Sequence, residues 1–276
     1  MHEPLHGIVH SVFNAAANIA FPYPDATTRA STPPLLDSHP YNDSGASYAL
    51  ILSLNAVSTP RMPNGIQLSS PAGSFPFSAL RPGMPVIFGA YRLHIEAIDC
   101  SLDLSQSPHW NPHIQRPAQL DMVVMQRNYY RLQALLGEWE HGHRDNKVSV
   151  GQAPDILTLA REICGRGPGL TPGGDDILAG WMAAGWLLYG PEPGFVETCQ
   201  RIVAISRRQT HLLSQCWLSY AAGGNVAEPI AALLDAMTRS GDAQLERALI
   251  TVLAMGATSG YDVCQGVLLT SSIRIE

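Results

Sequence analysis

Along the N-terminal part of the chain, apolar and polar residues alternate in short runs. Tyr91-Arg-Leu-His-Ile-Glu-Ala-Ile98 alternates as a half-buried strand does, and Tyr48-Ala-Leu-Ile-Leu-Ser-Leu54 is a second strand candidate. Residues Ile8 to Ala20 fit either a short strand or a helix. The span from Pro22 to Asp43 is rich in Pro, Ser, Thr and Asp and reads as loop. Asn64-Gly65, inside Met62 to Leu68, is a turn signal, and Leu80-Arg-Pro-Gly-Met-Pro85 places another turn before Val86-Ile-Phe88. Short strands with closely spaced turns predict a β-rich unit of barrel or sandwich type to about Ile114, without a long helix after its opening segment.

After Pro117 the apolar spacing becomes helical. Helices are predicted over Leu120–His141, Ala153–Cys164, Ile177–Tyr189, Phe195–Ala222, Glu228–Arg239, Ala243–Met255 and Gly260–Ser271. A polar loop runs from His141 to Lys147, Pro191 and Pro193 break the chain, and Gly223-Gly224 stops the longest helix. The fold class expected is α+β: a β-rich barrel- or sandwich-like domain over residues 1–117, then an all-α bundle over 118–276.

One stretch interrupts this pattern, Gly165-Arg-Gly-Pro-Gly-Leu-Thr-Pro-Gly-Gly-Asp-Asp-Ile-Leu-Ala-Gly180. Its prolines and glycines exclude a helix or central strand until the apolar run that follows. That run is apolar nearly all round, which implies burial in a bundle, and is too short to span a bilayer. A shaped loop feeding a helix start directs backbone N–H groups and the positive end of the helix dipole at an anion. Arg166, Gly167, Gly169, Thr171, Gly173 and Gly174 are therefore candidate binding residues. Asp175 and Asp176 are candidate chemical groups. Neighbouring carboxylates repel unless something positive or proton-donating lies between them; a divalent cation such as Mg2+ or the NH2 of a bound amide would serve. Ordinary capping is the other use of such a loop.

A second stretch, Gly256-Ala-Thr-Ser-Gly-Tyr-Asp-Val-Cys-Gln-Gly266, has the same grammar. Each helix start carries a carboxylate with a glycine one turn on: Asp176 with Gly180, Asp262 with Gly266. Helix-interior glycine is disfavoured by roughly 1 kcal/mol against Ala, so close approach of the two helices is expected at these positions. Thr258, Ser259 and Gly260 join the binding candidates. Ser259 to Asp262 also resembles a capping box, so Asp262 is open to a capping or a ligand role. Thr210 and Ser214, beside Arg207 and Arg208, are further candidates, although helical hydroxyls usually bond back to the preceding turn.

Composition narrows the function classes. The 276 residues are 46% hydrophobic with a net charge of −6 and no Lys/Arg-rich run, which argues against nucleic acid and anionic membrane as partners. No opening segment joins a basic flank to an apolar core, so no signal peptide is expected. Cys100, Cys164, Cys199, Cys216 and Cys264 lack metal-type spacing and are expected as reduced, buried thiols of a cytoplasmic protein. His109 and His113 have the spacing of a metal pair, but Pro112 breaks any helix that would align them. No Ser-His-Asp or Cys-His arrangement points to a covalent intermediate.

Gly165-x-Gly-Pro-Gly-Leu-Thr-Pro-x-x-Asp-Asp-x-Leu-x-Gly180 resembles the central motif of the AllH-type proteins. Thr210-x-x-x-Ser214, Ala221-Ala-x-Gly224 and Gly256-x-Thr-Ser-Gly-x-Asp-x-x-x-Gly266 resemble its later motifs in order, covering roughly Cys164 to Leu269. The first half, with Val9-His-Ser-Val-Phe13 and Met62-Pro-Asn-Gly-Ile66, is similar in style only. Some relatives have Gly-His-Thr-Ser-Gly where this chain has Ala257. The resemblance implies one component of a three-component oxamate carbamoyltransferase of anaerobic allantoin breakdown, a branch of purine catabolism. That enzyme converts oxalurate and phosphate to oxamate and carbamoyl phosphate, and its other components look like an acyl-CoA synthetase-type subunit and a second uncharacterised subunit. The expectation is a transferase subunit in a cytoplasmic hetero-oligomer, taking a small anionic or amide ligand of the carbamoyl phosphate or oxamate class. Its rivals are a non-catalytic scaffold subunit and a small-anion-binding regulatory module.

Overall fold

A computed structural model of the chain describes residues 3–22, 48–68, 75–142 and 155–270. The loop expected over Pro22–Asp43 falls, past Pro22, outside the described residues, and so does the polar loop after Gly142. The chain divides into two compact units, Met1–Asn111 and Pro112–Glu276.

The first unit is one mixed sheet curled into a half-barrel. Its strands are β1 (Leu5–Val12), β2 (Ala16–Pro22), β3 (Tyr48–Asn55), β4 (Gly65–Gln67), β5 (Pro85–Gly89), β6 (Arg92–Ile95) and β7 (Cys100–Asp103), in the order β4-β3-β2-β1-β5-β6-β7. Residues 8–20, read as one element, are a hairpin: the Phe13 N–H donates to the Ala16 carbonyl at 2.8 Å, and Val12 pairs with Ala17. The Asn64-Gly65 turn forms, with the Gly65 N–H on the Met62 carbonyl, yet β4 then runs parallel to β3. Val9, Ile19, Phe21, Leu54, Leu93 and Ile95 pack as the core on one face. Across the strands runs a buried polar row: Asn64 donates to Ser53, Ser53 to Asn18, and Asn18 to Ser11. Because a one-residue slip turns every side chain over, this row and the apolar face fix the same register.

The second unit is helical: α1 (Met122–Gly142), α2 (Ile156–Ile163), α3 (Gly173–Tyr189), α4 (Pro193–Gln209), α5 (Leu212–Ala222), α6 (Glu228–Met237), α7 (Asp242–Leu253) and α8 (Ser259–Leu269). No helix among the described residues is long and apolar enough to cross a membrane. The buried helix expected from the apolar run is α3, whose Ile177, Trp181, Met182 and Ala183 are fully enclosed. Its C-terminal carbonyls are capped by Arg116, which donates to Leu187 and Leu188. Pro193, read as a breaker, opens α4 at a position that needs no N–H, with Glu192 capping Gly194 and Phe195. His113, although exposed, packs edge-on to Trp186 at 5.4 Å between ring centres.

One expectation is corrected. Phe195–Ala222 is two helices, because Thr210 adopts an extended backbone (φ −134°, ψ 176°) between α4 and α5. No proline or glycine marks this corner; a tertiary contact of the Thr210 side chain produces it, as described below. Among the cysteines, Cys164, Cys199, Cys216 and Cys264 are buried, whereas Cys100 on β7 is only partly so.

The most extensive helix pair is α3 with α8. A Cβ at Gly180 would overlap the Val263 carbonyl oxygen, and a Cβ at Gly266 would overlap the Ile177 carbonyl oxygen. The contact is reciprocal: each helix seats its glycine on the carbonyl that follows the other's acid. Gly180→Ala and Gly266→Ala should each destabilise the protein by about 1–3 kcal/mol through overpacking. Gly137→Ala on α1, where a Cβ meets nothing within 4 Å, should instead stabilise it by roughly 0.5–1 kcal/mol. Urea unfolding of the three variants checks the contrast.

Candidate functional site

The loop before α3 is built by left-handed glycines. Gly165, Gly167 and Gly169 have φ of 74°, 122° and 91°, with other residues between them. Alternation of this kind turns successive N–H groups toward one side of a loop. Part of the loop's donor set is used internally. The Arg166 N–H bonds to the Ile163 carbonyl, the Gly174 N–H to the Arg166 carbonyl, and those of Asp175 and Asp176 to the Pro172 carbonyl. Among the described residues the N–H groups of Gly167, Gly169 and Gly173 have no acceptor. Arg166 to Leu170 are exposed, whereas Gly173 and Gly174 are buried; Gly174 lies against the Ile163 carbonyl with no space for a side chain.

Asp175, 2% exposed, is surrounded by donors. The Gly165 N–H donates to Oδ1 at 2.8 Å. The hydroxyls of Thr210 and Ser214 both donate to Oδ2, the second at 2.7 Å. The Cys164 thiol also bonds to this carboxylate; burial first, then the Asp175 charge, pushes that thiol far up its range and makes it inert. Thr210 and Ser214 therefore do not bond back along their own helix, as helical hydroxyls usually do. Cys164 and the Gly165 amide were absent from the candidates drawn from sequence. The available signal was Gly165 itself, where a Cβ would overlap the Gln209 carbonyl.

Asp176 is also buried, at 6% exposure, but faces the start of α8. Ser259 bonds to its carboxyl, and the Thr171 and Ser259 hydroxyls lie 3.4 Å apart. Its Oδ2 has no hydrogen-bond partner among the described residues. Burial, followed by the charges of Asp262 and Asp175, holds its acid well above the usual carboxylate range, with Ser259 opposing. Asp262, 2% exposed, sits at the fourth position of α8, as Asp176 does on α3. The capping-box reading of Ser259–Asp262 is corrected: the cap residue is Thr258, no side chain caps this helix start, and Ser259 is already helical. Gly260 lies against the Val252 carbonyl.

The fold thus brings Thr171, Asp176, Ser259 and Asp262 together where α3 meets α8, with Thr258 and Gly260 at the same helix start. It places Asp175, Thr210 and Ser214 on the other side of α3, and Arg166 on the exposed loop. No group of three or more His, Cys, Asp or Glu among the described residues is arranged to hold a metal ion.

The raised acid of Asp176 has a definite stability signature. Below the unfolded carboxylate range, near pH 4, both states are protonated and the group contributes nothing. As pH rises toward the folded value, only the unfolded state gains by ionising, so the folded state loses stability. Asp176→Asn should therefore raise Tm relative to the ligand-free parent by an amount that grows from acid to neutral pH. Parallel thermal melts across that range measure the difference.

The comparison with known families concerns this region. Residues 163–271 match the family model described as oxamate carbamoyltransferase subunit AllH. The match starts at the last residue of α2 and includes the glycine loop and both acid-bearing helix starts. No solved structure gives a significant match to the chain. Over residues 163–271 the chain is similar to the AllH family of oxamate carbamoyltransferase subunits.

Proposed function

We propose that this protein is the subunit of a carbamoyltransferase assembly that binds an anionic amide at the start of α3. The observation carrying this reading is the buried, unpartnered Oδ2 of Asp176 beside a loop with unused N–H groups. A buried polar atom left without a partner costs about 1–3 kcal/mol, and a ligand group bonded to it removes that cost. The N–H groups of Gly167, Gly169 and Gly173, with Arg166 on the exposed side, suit an anionic end. Asp176 and Asp262, with the Thr171 and Ser259 hydroxyls, suit an amide NH2.

Oxalurate, oxamate and carbamoyl phosphate each carry both ends. In the overall reaction a phosphate oxygen bonds to the carbamoyl carbon of oxalurate. The bond from that carbon to the amide nitrogen breaks, and the nitrogen leaves with a proton as oxamate. The role assigned to this chain is to orient and to stabilise charge. A second reading, a scaffold subunit whose loop docks a partner chain, draws on the exposure of Arg166 to Leu170.

Titration calorimetry of the full chain with carbamoyl phosphate, oxamate and Mg2+, alone and combined, separates the two. The binding reading expects affinity for the amide anions, reduced roughly tenfold to a hundredfold in Asp176→Ala. The absence of heat with every ligand, with full activity of an assembly rebuilt on Asp176→Ala, would leave the docking reading in its place.

A further inference from the structure

We infer that Asp175 is the positioning residue of the glycine loop, tying the loop's base to the corner between α4 and α5, and that it does not itself touch ligand. Asp175 and Asp176 are alike in sequence but not in surroundings. A carboxylate has about four lone-pair sites. Those of Asp175 meet the Gly165 N–H, the Thr210 and Ser214 hydroxyls and the Cys164 thiol. Nothing is left on it for a ligand group or a cation. The side chain is enclosed, and its donors come from three places: the end of α2, the cap of α4 and the first turn of α5.

The corner and the loop are joined twice. Gly165 gives its N–H to Asp175 and also lies directly on the Gln209 carbonyl, one residue before Thr210. Thr210 turns extended, which carries its hydroxyl onto Asp175, and its own carbonyl is held by Gln215 at 2.7 Å. The left-handed turn at Gly165 that starts the loop is thereby set from α4 and α5. Each residue in this chain of contacts is buried or backbone, so its effect on the site passes through the loop.

The inference rests on the proposed function only for what the loop binds; the test of the latch uses no ligand. Arg166 is exposed and offers trypsin a cleavage point inside the loop. The full chain would be digested well below its Tm, as the parent, Asp175→Asn, Thr210→Val with Ser214→Ala, Thr210→Ser and Asp176→Asn. Loss of the latch should speed cleavage after Arg166 roughly tenfold or more in Asp175→Asn and in the hydroxyl double variant. Thr210→Ser, which keeps the hydroxyl, and Asp176→Asn should match the parent. A role in global stability alone would instead give cleavage rates that follow Tm across all the variants. The inference is overturned if both latch variants are protected like the parent, or if cleavage tracks Tm alone. Direct ligand contact by Asp175 would show as loss of carbamoyl phosphate binding in Asp175→Asn with an unopened loop. Should Asp175→Asn fail to fold, the hydroxyl double variant decides by itself.

Discussion

Two helix backbones can touch only where no side chain lies between them, and α3 and α8 meet at two such places. Gly180 rests on the Val263 carbonyl and Gly266 on the Ile177 carbonyl. The positions of Thr171, Asp176, Ser259 and Asp262 follow from this contact, because each acid lies one turn before its helix's glycine. Widening the crossing by the size of a methyl group would draw the Asp176 and Asp262 ends apart and separate the Thr171 and Ser259 hydroxyls. The intrinsic weakness of glycine inside a helix is the cost of that geometry.

Burial then treats the two adjacent acids in opposite ways. Consecutive helical residues point about 100° apart, so Asp175 and Asp176 enter different surroundings. Donors enclose the first. The second has Ser259, two neighbouring acids and an open oxygen. A buried charge without compensation is expelled or neutralised, and the upward shift of the Asp176 acid is the neutralised outcome. Charge density in the sequence alone would assign both residues one role.

What could be read from the sequence was what local pattern or backbone space determines. The repeated Asp-x-x-x-Gly spacing gave the α3–α8 contact because a glycine in a helix demands a close neighbour. The alternation in Tyr91–Ile98 gave β6, and the apolar run after Asp176 gave the buried helix. The β1–β2 hairpin escaped because the turn after Val12 lacks glycine or proline, and β4 pairs parallel to β3 although its turn resembles that of a hairpin. Within the site, the candidates at both helix starts were legible as residue types. The partners of Asp175 were not, since Gly165, Thr210 and Ser214 are 10, 35 and 39 residues away from it.

The extended backbone at Thr210 bears on how this region folds. Residues 193–222 contain nothing at positions 210 and 211 that forbids a helix, and local preference runs through them. The bend is stabilised by a carboxylate that arrives with another element. The direction in which α5 leaves α4 is therefore set from outside both helices, by a carboxylate that α3 holds against the corner.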